Sequence, residues 1–214
     1  MIGPEETFSK LFGTMDFIES EYLSQTTDWT EYCELHSIEK YNLKKKQVID
    51  IINDRNLMNY IQKYREFIDL RSFDVYKRNN CFQDFDFYYR LKTDNSMNEK
   101  IQDYIHYRKE HGRIMIHKCF NDILGTRIII DSELNGTQLM ENISKRYGKY
   151  VCVDSSKPKG SLKKDYSAIH VYLKTESNTD FRWEIQIWKK EDEYSNNESH
   201  RTHRFRYTAW ERLS

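Results

Sequence analysis

Six residues, Trp183-Glu184-Ile185-Gln186-Ile187-Trp188, alternate with period two. A helix would scatter that pattern around its circumference. An extended strand puts Trp183, Ile185 and Ile187 on one face and Glu184, Gln186 and Trp188 on the other. By itself the segment reads most plainly as a half-buried strand with a solvated polar face. Its company in the chain argues for more, because a carboxylate and an amide sharing one face can be the floor of a site.

The sequence divides in two by pattern. From about Glu5 to Lys109 the signature is mostly helical, clearest in Leu57, Ile61, Tyr64 and Ile68, whose spacing of four, three and four draws one apolar stripe. After Gly112 the β-branched run Gly125-Thr126-Arg127-Ile128-Ile129-Ile130 predicts a strand. Asn135-Gly136 predicts a turn, and Leu139 or Met140, Ile143 and Tyr147 predict a short helix ending near Gly148. Residues 150–153 read as a second strand. Residues 167–174 and 181–188 read as an antiparallel hairpin turning through Ser177-Asn178-Thr179-Asp180. From Glu191 the sequence is again helix-compatible. The expected class is α/β, in the α+β sense: a helical region over residues 1–85, then a mixed sheet of about five strands with a βαβ element, flanked by helices, over residues 86–214.

Composition narrows the function classes. The 214 residues are 38% apolar and include 16 Tyr and 11 Phe, enough for a sizeable core, and 7 Gly with 2 Pro leave little room for long linkers. Cysteines at 33, 81, 119 and 152 are too far apart for a zinc knuckle or a C-x-x-C pair, so free thiols in a reducing compartment are expected. There is no 18-residue apolar window, and the Met1 segment carries Glu5 and Glu6 rather than a basic flank and apolar run. A cytoplasmic protein without a signal peptide is expected. Charge is uneven: residues 1–40 hold nine acids against Lys10 and Lys40, so the balanced whole requires a basic remainder. Such a body suits phosphate-bearing partners, and the acidic stretch is either a shield for it or a polar helix face.

Four motifs lie within the basic part. Arg90-Leu91-Lys92 precedes a helix on which Ser96 and Lys100 stand one turn apart. Asn121-Asp122-Ile123-Leu124-Gly125-Thr126-Arg127 sets a carboxylate just before a strand and an arginine just inside it. Mg²⁺ takes one or two protein carboxylates and leaves its other positions to water and phosphates, so Asp122 and Glu184 together make a candidate metal pair. Lys157, Lys159, Lys163 and Lys164 form a loop without acids that leads to Tyr166 and, four residues on, His170. Ammonium groups for phosphates beside an aromatic face for a base are what a nucleotide acceptor site needs. Glu184 and Gln186 complete the set. Each motif alone also fits a solvated helix, turn or loop.

In this order and spacing, R-x-K, D-I-x-G-x-R-I, Y-x-x-x-H and E-I-Q-I resemble the synthetase domain of the RelA/SpoT family over roughly Tyr89 to Tyr207. The resemblance implies a nucleotidyltransferase-like sheet and transfer of the β,γ-pyrophosphate of ATP to a ribose 3′-hydroxyl with Mg²⁺. It implies that Arg90 and Arg127 clasp the adenine and phosphates, and that Lys92 and Lys100, near Ser96, neutralise the triphosphate. Asp122 would bind the metal. Glu184 would assist it and accept the hydroxyl proton, while Tyr166 stacks on the acceptor base and His170 and Gln186 position its ribose and phosphates.

Two positions depart from the family pattern: Asp165 replaces a glycine before the stacking tyrosine, and Trp188 replaces the arginine that commonly follows E-I-Q-I. Both bear on the acceptor. No His-Asp dipeptide occurs, so the family's hydrolase half is not expected, nor are the tetramer-forming C-terminal helices. The long helical N-terminal region is most similar to the toxic small alarmone synthetases, which pyrophosphorylate the 3′-terminal adenosine of tRNA and are neutralised by an antitoxin. The lysine loop, with Arg201, Arg204 and Arg206, has the charge a tRNA acceptor end requires. The alternatives are a (p)ppGpp synthetase acting on GDP or GTP, and a catalytically dead nucleotide-binding domain.

Overall fold

A computed structural model describes residues 4–78, 85–131, 134–148, 151–155, 167–203 and 211–212. Helix α1 spans Pro4–Leu35, α2 Asp50–Asn53 and α3 Arg55–Arg78. Strand β1 (Asp86–Leu91) leads to α4 (Asp94–Gln102), which continues as one wider turn over Asp103–Tyr107, and then to α5 (Ile116–Cys119). Next come β2 (Leu124–Ile130), α6 (Gly136–Tyr147), β3 (Val151–Ser155), β4 (Ile169–Leu173) and β5 (Trp183–Lys189). Helix α7 (Glu193–His203) and the short β6 (Glu211–Arg212) complete the described elements.

The strands form one mixed sheet in the order β3-β4-β5-β2-β1-β6. The expected hairpin is β4–β5, antiparallel with Tyr172 opposite Glu184 and His170 opposite Gln186. Strands β2 and β5 are parallel, placing Gly125 beside Glu184 and Arg127 beside Gln186. The mixed sheet flanked by helices is as expected; among the described residues it has six strands, with Arg90 on β1, within a stretch expected to be mostly helical, and β6 pairing with Tyr88 and Tyr89. Two sequence expectations need correction. The βαβ element is split, since β5 and β4 lie between β2 and β3. Asn135-Gly136 is a helix start instead of a turn: the Asn135 side chain accepts from the backbone N–H groups of Thr137 and Gln138, satisfying donors left open at the N-terminus of α6.

One face of the sheet is apolar and carries the core. Its strand residues Phe87, Leu124, Ile128, Val171, Trp183 and Ile185 are buried with the α3 stripe Leu57, Ile61, Tyr64 and Ile68, and with Leu11, Met15, Ile18 and Trp29 of α1. Aromatic rings join the layers. Tyr64 stacks on Phe181 at 4.2 Å, Tyr22 meets Trp183 edge-on at 5.4 Å, and the Trp183 indole donates to the Tyr64 hydroxyl at 2.9 Å. Helix α6 docks against α1 through Arg146 and Asp16, 2.6 Å apart. The acids of α1 lie towards its outer side, with Asp28 also paired to Arg71, as a polar helix face requires. Cys33 and Cys119 are free buried thiols, and no described helix is long and apolar enough to cross a membrane. With α1, α3 and α6 occupying one face, the other face is left for polar side chains.

Candidate active site

Period-two alternation and the strand register put Arg90, Arg127, Glu184, Gln186, Trp188 and His170 on that second face, drawn from four adjacent strands. Glu184, Gln186 and Trp188 are 6%, 3% and 0% exposed, so the side expected to be solvated in the plainest reading is in fact closed off from water. Two clusters occupy it.

The first centres on Asp122, in the turn that enters β2. One carboxylate oxygen accepts from Lys92 Nζ at 2.5 Å and from Arg90 Nη2 at 3.4 Å, and the other accepts from Lys100 Nζ at 2.9 Å. The three cations come from three places. Arg90 is near the end of β1, and Lys92 just beyond it is fixed by its backbone N–H to Ile123 and by Arg65, which donates to the Lys92 carbonyl at 2.9 Å. Lys100 stands on α4 one turn after Ser96, whose backbone N–H is capped by the Thr93 hydroxyl. Ser96 is fully buried at the start of that helix. Burial alone would raise the Asp122 carboxyl, but Lys100, Lys92 and Arg90 outweigh it and hold it well below the usual carboxylate range. The burden falls on Lys92. Desolvation, reinforced by Lys100 and Arg90, brings its ammonium down to about 7, while Lys100 is raised because its attraction to Asp122 exceeds its own desolvation.

The second cluster runs across three strands. Glu184 Oε1 lies 2.8 Å from His170 Nδ1, and Glu184 Oε2 accepts from Gln186 Nε2 at 2.9 Å. An ionised carboxylate only accepts, so His170 carries its proton on Nδ1. Gln186 Oε1 in turn accepts from Arg127 Nε and Nη2 at 3.4 and 3.3 Å, and the Arg127 guanidinium carbon lies 3.4 Å from the centre of the Trp188 ring. Burial pushes the Glu184 carboxyl up, yet His170 and Arg90 together outweigh it and the group is held below its ordinary range. Asp122 acts on it in the opposite sense to these two.

Arg90, Lys100 and Arg127, with Lys92 adding a partial charge near neutral pH, outweigh Asp122 and Glu184, so the face carries surplus positive charge and suits a polyanion. Among the described residues no three metal-ligating side chains converge. Mg²⁺ nevertheless needs only one or two protein carboxylates when phosphates supply further oxygens, and this side of the sheet offers Asp122, bonded to Arg90, and Glu184, bonded to His170. Asp122 and Glu184 are the residues that would hold it.

Eight of the expected site residues therefore lie in the two clusters, Arg90, Lys92, Lys100, Asp122, Arg127, His170, Glu184 and Gln186, and Ser96 is buried one turn before Lys100 on α4. Lys157, Lys159, Lys163, Lys164, Tyr166 and Arg204 lie outside the described residues. Sequence reasoning passed over Arg65, which props Lys92, and Asn196 of α7, whose amide exchanges two hydrogen bonds of 2.7 Å with the backbone of Ser167 at the approach to β4. Neither stands in a motif; each is defined by a partner far away in the chain.

No family model and no curated protein matches the sequence. Among solved structures the chain is similar to the small alarmone synthetase 1 of Bacillus subtilis bound to its product pppGpp. The two are 19% identical with a TM-score of 0.40, over 70% of this chain and 81% of that one. Another structure of the same Bacillus subtilis synthetase is 22% identical, with a TM-score of 0.37 over 69% of this chain and 76% of that one.

Proposed function

We propose that the chain is an ATP pyrophosphokinase, with residues 86–214 forming the synthetase domain and residues 1–85 a helical region packed behind it. The observation that carries this reading is the pairing of a half-buried carboxylate ringed by three cations with a second, buried carboxylate held across the strands on the same face. In the reaction the acceptor's 3′-oxygen forms a bond to Pβ of ATP. The bond from Pβ to the oxygen bridging it to Pα breaks, and AMP leaves with that electron pair. Such transfers depend on alignment and on neutralising the triphosphate.

Lys92, Lys100 and Arg90 are placed to exchange Asp122 for phosphate oxygens, and Arg127 to hold the nucleotide from the centre of the sheet. Asp122 and Glu184 would hold Mg²⁺, which when bound would neutralise phosphate charge on the triphosphate. Glu184 takes the hydroxyl proton, with Gln186 and His170 fixing the direction of its two oxygens.

The acceptor we propose is the 3′-terminal adenosine of tRNA, with Tyr166, His170 and the loop lysines holding it alongside Arg204. Such a reaction would stop translation in the cytoplasm and call for a neutralising protein antitoxin. Support comes from Trp188: the position that in the resembled family carries an arginine here presents an indole buried under Arg127, and so adds no cation for the terminal phosphates of a guanosine nucleotide. Synthesis of (p)ppGpp from GDP or GTP is the alternative for the same machinery. The two separate when γ-labelled ATP is offered together with deacylated tRNA, GDP and GTP. Label on tRNA is expected; label confined to a guanosine nucleotide establishes the alternative, and label on none of them removes both.

A further inference from the structure

The contact between Arg127 and Trp188 is unlike the others on this face. A guanidinium carbon 3.4 Å from the ring centre lies directly over the indole, and the planar group must be nearly parallel to the ring, since any steep tilt would drive one of its nitrogens into the ring carbons. Gln186 Oε1 takes Nε and Nη2 from the side. Stacking fixes the tilt and the hydrogen bonds fix the rotation within the plane, so the guanidinium has one orientation. Both residues are buried, at 4% and 0% exposure, so the attraction is not weakened by water. Arginine suits such a place because its delocalised ion is weakly hydrated, and lysine would have neither the plane nor the fork.

Trp188 also stands apart from the main core. It faces away from Trp183, Ile185 and Ile187 and packs in a small separate cluster with Ile129, Ala168 and Tyr88, on the same side of the sheet as the charged groups. A bulky ring needed only for stability would gain as much on the core face. On the site face, its distinctive partner is an ion.

We propose that Trp188 is a positioning residue that clamps Arg127 in the orientation from which it engages the donor nucleotide. The inference rests on the reading of Arg127 as an ATP-binding residue. An unclamped arginine must give up its rotamer freedom when nucleotide binds, whereas this one has given it up on folding. Losing a desolvated cation–π contact, together with that ordering, weakens binding by about tenfold.

The test has two readouts. The first is a double-mutant cycle in urea unfolding with W188L, R127M and the double variant, which detects the clamp without any ligand. The second is calorimetric binding of α,β-methylene-ATP with Mg²⁺, an analogue that cannot be cleaved at the reacting bond, together with KM and kcat for ATP. The expected result is non-additive stability, about tenfold weaker analogue binding in W188L with KM rising more than kcat falls, near-complete rescue in W188F, and no further loss when W188L is added to R127M. Additive stability, or equal weakening by W188L with and without Arg127, overturns the clamp. Coupled stability with unchanged analogue binding overturns its role towards the nucleotide. Failure of the unmutated protein to bind the analogue overturns the ATP reading itself while the cycle still reports on the contact.

Discussion

Asp122 is a half-buried carboxylate and Glu184 a buried one, and their surroundings make opposite forecasts for their removal. Glu184→Gln keeps an acceptor for His170 and a group that can meet Gln186, so the fold should hold while turnover falls by at least about 10²-fold, the scale for deleting one preorganised electrostatic group. Circular dichroism and steady-state rates on the same preparation check both halves. Asp122→Asn leaves Lys92, Lys100 and Arg90 facing one another without their counter-charge, and should cost about 3 kcal/mol in urea unfolding besides abolishing activity. Acid sensitivity follows with a definite sign. Because Asp122 titrates well below its ordinary value in the native chain, the unfolded chain is the first to take up a proton as pH falls through about 4. Stability is thus present above that pH and is lost below it. Glu184 contributes in the same sense. The urea midpoint should drop between about pH 5 and about pH 3 in the unmutated protein and drop less in Asp122→Asn.

Elements show what a sequence carries openly and what it conceals. The Asn135 cap is a local device, and Asn135→Ala should cost about 1 kcal/mol in urea while leaving the site intact, because α6 packs on the face away from the charged groups. Strands β2 and β5 were legible because β-branched residues and strict alternation leave few other conformations for Thr126 to Ile130 and Trp183 to Trp188. Strand β1 was not: Asp86-Phe87-Tyr88-Tyr89-Arg90-Leu91 has no β-branched residue and follows a long helical stretch, and it becomes a strand by pairing with β2 on one side and β6 on the other. Asn135-Gly136 carries the strongest short turn signal known, yet the same Asn side chain serves equally well as a helix cap, and local sequence does not choose between them. Within the site, the residue types and their order were readable. The pairings were not, because the links from Asp122 to Lys92, Glu184 to His170 and Arg127 to Gln186 span 30, 14 and 59 residues and exist only once the strand order is set.

In the whole molecule, the two faces of one sheet divide the labour. The aromatic face packs on α1 and α3 and gives the sheet its rigidity, and the charged face is the one on which we propose that a polyanion binds, in a setting closed enough for each charge to count. If the acceptor is tRNA, its KM should climb steeply between about 50 and 200 mM salt through counterion release, and the KM for ATP should respond far less. Stopped mixtures with varied salt, analysed for each substrate in turn, resolve the two slopes. The most direct measurement of the central proposal is the stoichiometry of AMP release: γ-labelled ATP and Mg²⁺ with an acceptor bearing a ribose 3′-hydroxyl, for the unmutated protein and Glu184→Gln. The expected result is one AMP formed per label transferred to the acceptor, with both products falling at least about 10²-fold in the variant. Release of ADP or inorganic phosphate in place of AMP, or an undiminished rate in Glu184→Gln, would contradict it.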